Sequence, residues 1–320
     1  MSITKSLAIA LALVAGAAVA QSPAYPVKPV RLVVPSSPGG GTDILARVLA
    51  QKMSESLGQQ FVVENRPGAG QVIGIEAVAR SAPDGHTLLM AASAIVINEV
   101  LYAKPPYDTL RDFAPVTLVA SLPNILVVHP ALPVKSVREL IALAKTRPGQ
   151  LNYSSAGSGT SPHLSMELFR LMAGITLTHV PYKGTGPATV DLVAGQVQLS
   201  MPNVLTALPQ IKGGKLRALG VTSAKRATGL PDIPAIAETV PGYEAIQWYG
   251  LLAPAGTPRE IVGKVQAETA RILVLPEVKA RLASDGADAV GNRPDEFAAY
   301  IRAELAKWGK VVKTGGITLE

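Results

Sequence analysis

Twice along this chain a short extended run breaks into a turn rich in glycine and serine and then opens a helix. The first copy is Val30-Arg31-Leu32-Val33-Val34, a turn beginning at Pro35, and a helix from Thr42 to Leu57 closed by Gly58. Ile44, Leu45, Val48, Leu49 and Met53 mark the apolar side of that helix. The second copy is Leu151-Asn152-Tyr153-Ser154, a turn from Ser155 to Ser161, and a helix from Pro162 to about Met172. Around the first copy, Phe61-Val62-Val63, a helix near Val72 to Arg80 and the run His86 to Met90 continue the alternation. Strand, helix, strand, helix, strand predicts a parallel sheet with helices on its faces.

After extended runs at Val116–Ala120 and Ile125–Val128 the pattern restarts. It has helices at Val137–Thr146 and Thr189–Ala194, and strands at Thr178–Val180, Val197–Ser200 and Lys215–Val221. A further extended stretch, Ile246 to Leu252, precedes a Pro/Gly break, and the chain ends in helices at Arg259–Leu273 and Pro294–Val312. The expectation is an α/β protein of two similar halves, with the last helices packed onto them.

The two turns are where chemistry is expected. Their glycines let backbone approach a ligand closely. Thr42 or Ser161 can cap the following helix, and Pro162 suits the first helical position. Unpaired N–H groups and the positive end of each helix dipole then point at one place, an anion site at the carboxyl edge of each sheet. Two such edges facing a cleft are where open α/β folds take ligands. A third stretch, His179 to Ala188, turns at Gly184 and Gly186; Tyr182 and Lys183 either reach the cleft or simply pack and solvate. Trp248 and Tyr249 either wall the cleft or belong to the core.

Other chemistries find little support. No phosphate-binding Gly-x-x-x-x-Gly-Lys-Ser/Thr, dinucleotide fingerprint or Gly-x-Ser-x-Gly elbow occurs. Ser158 with His163 and Asp191 could be drawn as a triad, but nothing in the sequence places them together. His86, His129, His163 and His179 are far apart and cysteine is absent, so neither a metal nor a cofactor is expected. The net charge is +7, yet Lys and Arg are scattered singly and aromatics are only 4%, which argues against nucleic acid.

The N-terminus reads as a cleavable export signal over residues 1–20. Lys5 precedes the apolar run Leu7 to Val14, and Ala18-Val19-Ala20 offers a cleavage site before Gln21. The run is short for a bilayer crossing, which takes roughly 20 apolar residues. A soluble mature protein outside the cytoplasm is expected, and without cysteines packing alone must hold it.

Six segments occur in an order that resembles a known family: Tyr25-Pro26-Val27-Lys28-Pro29-Val30-Arg31, Pro38-Gly39-Gly40-Gly41-Thr42-Asp43, Glu64-Asn65-Arg66-Pro67-Gly68-Ala69-Gly70, Pro83-Asp84-Gly85-His86-Thr87-Leu88-Leu89, Gly157-Ser158-Gly159-Thr160-Ser161-Pro162-His163-Leu164 and Val180-Pro181-Tyr182-Lys183-Gly184. With them the chain is similar to the Bug-type extracytoplasmic receptors, the substrate-binding proteins of tripartite tricarboxylate transporters. The resemblance implies a type II periplasmic-binding-protein clamshell, two α/β domains joined by two crossover strands. Residues 21–122 plus 246–320 would form domain I and 123–245 an inserted domain II. It implies a periplasmic monomer that binds a small organic acid (a di- or tricarboxylate, an aromatic carboxylate or an acidic amino acid), partly through ordered waters, and delivers it to membrane transporter subunits. The candidate ligand-binding residues are Ser37, Gly40, Gly41, Thr42, Asp43, Ser93, Ser155, Gly159, Thr160, Ser161, His163, Tyr182 and Asn203. Two positions depart from the family pattern, Gln71 where a glycine is frequent and His86 where tyrosine or tryptophan is common; neither is expected to alter function. The competing readings are a secreted serine hydrolase using Ser158 or Ser155 and a receptor that signals rather than transports.

Overall fold

In a computed structural model of the chain, residues 25–227, 229–284, 286–315 and 317 are described. The export signal expected over residues 1–20 lies outside them. The chain opens with β1 (Val30–Val34), α1 (Gly41–Leu57), β2 (Phe61–Asn65), α2 (Val72–Ala79) and β3 (Thr87–Ala92). Helices α3 (Ala94–Leu101) and α4 (Thr109–Asp112) follow, then the long β4 (Phe113–Pro123). Next come β5 (Ile125–Val128), α5 (Val137–Thr146), β6 (Asn152–Ser155), α6 (Ser161–Ala173), β7 (Thr178–Pro181), α7 (Thr185–Val193), β8 (Leu199–Ser200), α8 (Val204–Lys212) and β9 (Arg217–Val221). The chain closes with β10 (Ile246–Pro254), α9 (Arg259–Leu273), α10 (Pro276–Ser284), β11 (Asp288–Ala289) and α11 (Pro294–Gly315).

Among the described residues these strands form two sheets, ordered β11-β4-β10-β3-β1-β2 and β7-β6-β8-β5-β9. Strand β1 pairs parallel to both β2 and β3, as the alternation predicts. Strand β10 returns antiparallel between β3 and β4. In the second sheet β6 is parallel to β7 and β8, while β5 runs antiparallel to β8 and β9. Leu32 and Val34 enter one apolar core and Val33 the other, because successive strand residues face opposite sides. The first sheet is therefore covered on both faces, which is why Leu32-Val33-Val34 in β1 reads as an unbroken apolar run. Helix α9 packs on β4 and α1, and α11 on β4 and α3.

The sheets are joined at two neighbouring points. Strand β4 passes into β5 through Asn124, and the chain between β9 and β10 starts at Thr222. The backbone N–H of Thr222 donates to the Asn124 carbonyl at 2.9 Å, and the Asn124 N–H donates to the Thr222 hydroxyl at 2.8 Å. Both connections thus run side by side, and both residues are fully buried.

Several local expectations need correction. Helix α7 starts at Thr185 instead of Thr189, because Pro187 falls in the first turn, where its missing N–H costs nothing. Helices α3, α8 and α10 were not anticipated. Ala94 to Asn98 are all buried, so α3 shows no amphipathic period, and α8 carries Pro209. The caps also differ. Gly40 and Thr160 precede the helices, Thr42 and Ser161 lie within the first turns, and Pro162 is the second helical residue.

Candidate functional site

The turn after β1 is organised by Asp43, whose side chain is nearly inaccessible. Its carboxylate accepts the Gly39 N–H and the Asn65 amide, each at 3.0 Å, and pairs with Arg47 at 3.0 Å. Burial alone would push this carboxyl up, but the bonds from Arg47, Gly39 and Asn65 outweigh it and hold it below the usual aspartate value. Asp43 is thus occupied with its own loop. The first turn of α1 receives no side-chain cap, so the N-cap satisfies none of its leading N–H groups.

The turn after β6 is held by neutral groups. His163 Nδ1 accepts the Gly159 N–H at 3.2 Å, and the Thr160 hydroxyl donates to the Gly157 carbonyl at 2.6 Å. Ser155 Oγ accepts the Gly157 N–H at 3.1 Å and lies 2.6 Å from His179 Nε2. The His163 and His179 rings stack at 4.2 Å, and Tyr153 stacks on His179 at 4.8 Å. Behind them Tyr153 donates to Glu167, which also pairs with Arg170. Burial, above all, drives the His163 imidazole down to about 4, with Glu167 opposing and Arg170 assisting. His179 falls to about 3 through burial and its neighbour His163. Both are neutral near pH 7, as acceptance of an N–H by Nδ1 requires. Helix α6, like α1, has no side-chain cap.

One asparagine pair brings the two helix N-termini together. Asn124 donates to Ser161 Oγ at 2.9 Å in the first turn of α6. It is bridged through the backbone to Asn203, which caps α8 by accepting from Thr206. A Cβ built on Gly41 in α1 would fall 2.7 Å from Asn203 Oδ1 and would overlap the Tyr249 hydroxyl, so only glycine permits this approach. Loops close over both flanks. The Ser37 hydroxyl donates to the Lys183 carbonyl at 2.5 Å. On the other flank a Cβ on Gly70 would collide with the Ser158 carbonyl.

Of the sequence-predicted residues, Ser37, Gly40, Gly41, Thr42, Asp43, Ser155, Gly159, Thr160, Ser161, His163 and Asn203 lie on these two turns or against them. Ser93 is buried at the head of α3 with its hydroxyl on Gln247 Oε1 at 3.1 Å. The Tyr182 phenol is spoken for by Asp191 at 2.6 Å. Ser158, His163 and Asp191 therefore make no triad: the Asp191 carboxylate takes Tyr182 while His163 Nδ1 takes a backbone N–H. Tyr249 walls the α1 terminus, whereas Trp248, on the opposite strand face, is core, donating to Glu304 at 3.0 Å. Sequence reasoning missed Asn98, Asn124 and His179, and left the 68–71 loop out of the site although its glycine run was visible.

Comparison with known proteins decides what such a pair of turns belongs to. The sequence pattern of the tripartite tricarboxylate transporter family receptor, TctC, matches residues 45–317. This chain belongs to the TctC family. Protein BugT of Bordetella pertussis is 39% identical over 326 residues, covering all of both chains. The R. palustris protein Rpa4515, solved with adipate, is 41% identical with a TM-score of 0.89, over 92% of this chain and 99% of that one. MatC from Rhodopseudomonas palustris, solved with bound malate, is 34% identical with a TM-score of 0.87, over 90% of this chain and 100% of that one. The TctC receptor is accordingly a periplasmic solute receptor with the α/β clamshell fold of that family. Among its described residues, no helix is long and apolar enough to cross a membrane.

Proposed function

We propose that this TctC receptor takes a small organic acid by its carboxylate between the N-termini of α1 and α6 and passes it to membrane transporter subunits without chemical turnover. The observation that carries the reading is the pair of helix N-termini, both without side-chain caps, drawn to the same Asn124–Asn203 bridge. Each helix end is equivalent to roughly half a positive charge, so two together offset one carboxylate without any lysine or arginine. Each N–H bond to the carboxylate contributes on the order of 1.5–3 kcal/mol. Ser37, Gly40, Gly41, Thr42, Ser161 and Asn203 line the proximal site, with waters bridging where the reach is longer. Asp43 and His163 hold the turns in shape, and Ser155, Gly159 and Thr160 complete the second turn. The relatives solved with adipate and malate support a dicarboxylate.

In this reading the export signal is cut between Ala20 and Gln21, and the mature protein works as a monomer without a cofactor. Residues 21–122 with 246–320 move as one domain and 123–245 as the other, about the paired connections at Asn124 and Thr222. Thermal shift and calorimetry on the chain from Gln21, with malate, succinate, adipate, citrate and benzoate, test the proposal. Stabilisation by at least one acid is expected. Ester hydrolysis that vanishes in Ser158→Ala, with no acid binding, would overturn it.

A further inference from the structure

Asn124 belongs to the connection between the two sheets, yet its side chain reaches the helix that carries the second turn. The amide nitrogen donates to Ser161 Oγ at 2.9 Å and to Ser165 Oγ at 3.0 Å, one hydroxyl for each of its two N–H groups. Its Oδ1 is buried with no donor among the described residues. The opposite orientation would set one oxygen between the two hydroxyls and strand two buried N–H groups. A buried carbonyl short of a partner is tolerated more readily than an orphaned N–H, so the amide is the donor to both serines. Its backbone is held by Thr222 on both sides, and the Ile125 N–H donates to the Pro202 carbonyl at 2.9 Å. The amide is therefore carried by the paired connections and not by α6.

A hydroxyl that accepts from Asn124 sends its own proton elsewhere. Among the described residues the Ser161 proton has no protein acceptor. Ser161 lies in the first turn of α6, and the contacts from it through Asn124 and Asn203 lead to Gly41 at the head of α1. A bound carboxylate only accepts, so a serine beside it helps when its proton faces the ligand and hinders when a lone pair does.

We propose that Asn124 is a positioning residue of the receptor: by donating to Ser161 it sets that hydroxyl to donate in turn, aiming one more proton at the bound carboxylate. The proposal rests on the carboxylate reading and names the group that gives Ser161 its direction. Setting the direction before the ligand arrives leaves less to order on binding.

Calorimetry on the chain from Gln21 with malate, succinate, adipate, citrate and benzoate, at about pH 8 and about pH 5.5, tests this. Asn124→Asp reverses the direction, because an ionised carboxylate accepts the serine protons. At about pH 8 it should bind an acid that the wild type binds at least about tenfold more weakly, the equivalent of one charged hydrogen bond. Burial raises the pKa of such a carboxyl, and once protonated it can donate again. The ratio of wild-type to variant affinity, which cancels the titration of the acid itself, should then narrow several-fold by about pH 5.5. The titratable groups on the elements around Asn124 hold one state over that window. His163 is neutral above about 4, and Glu167 is held below the usual glutamate value. Burial pushes up the phenols of Tyr243, which donates to the Ser165 carbonyl, and of Tyr249.

Asn124→Leu carries no charge and serves where circular dichroism shows the aspartate variant unfolded. In that background Ser161→Ala should cost several-fold less affinity than it does in the wild type, since the two residues act as one unit. Three results would each overturn the role of Asn124 and leave carboxylate binding standing: an aspartate variant that binds like the wild type at about pH 8, a loss that does not narrow with pH, or a Ser161→Ala cost undiminished beside leucine. If the wild type binds none of the five acids, the carboxylate reading falls and this inference with it.

Discussion

At the head of α1 the glycine turn is tied down by a carboxylate; at the head of α6 the matching turn is tied down by an imidazole. Asp43 and His163 occupy comparable places, in the first turn of a helix, and each accepts an N–H from the glycine turn just before it: Gly39 in one case, Gly159 in the other. Asp43 is ionised and supported by Arg47, while His163 is neutral and supported by stacking on His179. One backbone cradle can therefore be shaped by a charged or an uncharged acceptor. The choice matters for electrostatics, because a negative Asp43 is balanced by its own arginine, whereas a neutral His163 adds no charge beside an incoming acid. It also matters for pH, since the two acceptors fail in different windows.

The largest effect should come from Gly159→Ala. The new Cβ meets Asn98 and the backbone must hold φ +76°, which together cost about 2–4 kcal/mol. Urea denaturation would show the midpoint fall, and acid binding should drop at least about tenfold. Gly41→Ala has the collision with Asn203 and Tyr249 without the strained φ. If it destabilised as much as Gly159→Ala, strain at the second turn would lose its special weight.

Next in size is Asp43→Ala. It takes the acceptor from the Gly39 N–H and the Asn65 amide in a partly buried setting, so a loss of about 1–2 kcal/mol is expected by the same urea assay. Asp43→Asn should recover only part of this, because an amide cannot accept from all three donors. Full recovery by asparagine would mean that the charge at the first turn is dispensable and the two turns are alike.

The pH dependence separates the acceptors directly. The folded pKa of His163 is depressed from about 6.5 to about 4, so the unfolded chain binds more protons between those values. Stability from this group is present above pH 6.5 and is lost as pH falls toward 4. Asp43 is depressed below the ordinary carboxylate value, so its contribution survives to about pH 4 and is lost only below that. Urea midpoints measured from pH 7.5 to 4.5 should therefore decline, and His163→Gln should flatten the decline. A midpoint that holds constant across this range in the wild type would break the contrast.

The smallest effect is expected for Ser155→Ala. It removes one bond to His179 and one acceptor for the Gly157 N–H, about 1 kcal/mol. A loss well beyond that would make the neutral turn more dependent on its serine than the stacking implies.

Much of this was legible along the chain. The β1 run, Gly58 closing α1, and the Arg259–Leu273 and Pro294 helices appear as read, because apolar period and glycine punctuation are local signals. Both glycine turns were recognisable as candidate anion sites for the same reason: strand, glycines and helix start follow one another in sequence, although the caps expected at Thr42 and Ser161 do not form. Helix α3 was not legible, since burial on every side erases the period. Nor was the role of His179, which reaches Ser155 from the neighbouring strand, 24 residues away.

By itself, then, the sequence determined the α/β class, the two turns and the family to which six ordered segments point. Only the tertiary structure decided that Asn124 and Asn203 join the two turns, that the Tyr182 hydroxyl meets Asp191, and that Gln71 and Asn98 bury amide oxygens without donors among the described residues. The reason is physical. A turn is set by the conformational preferences of adjacent residues, whereas the partners of a buried polar atom are chosen by which segments the sheets bring together, and nothing local encodes that meeting.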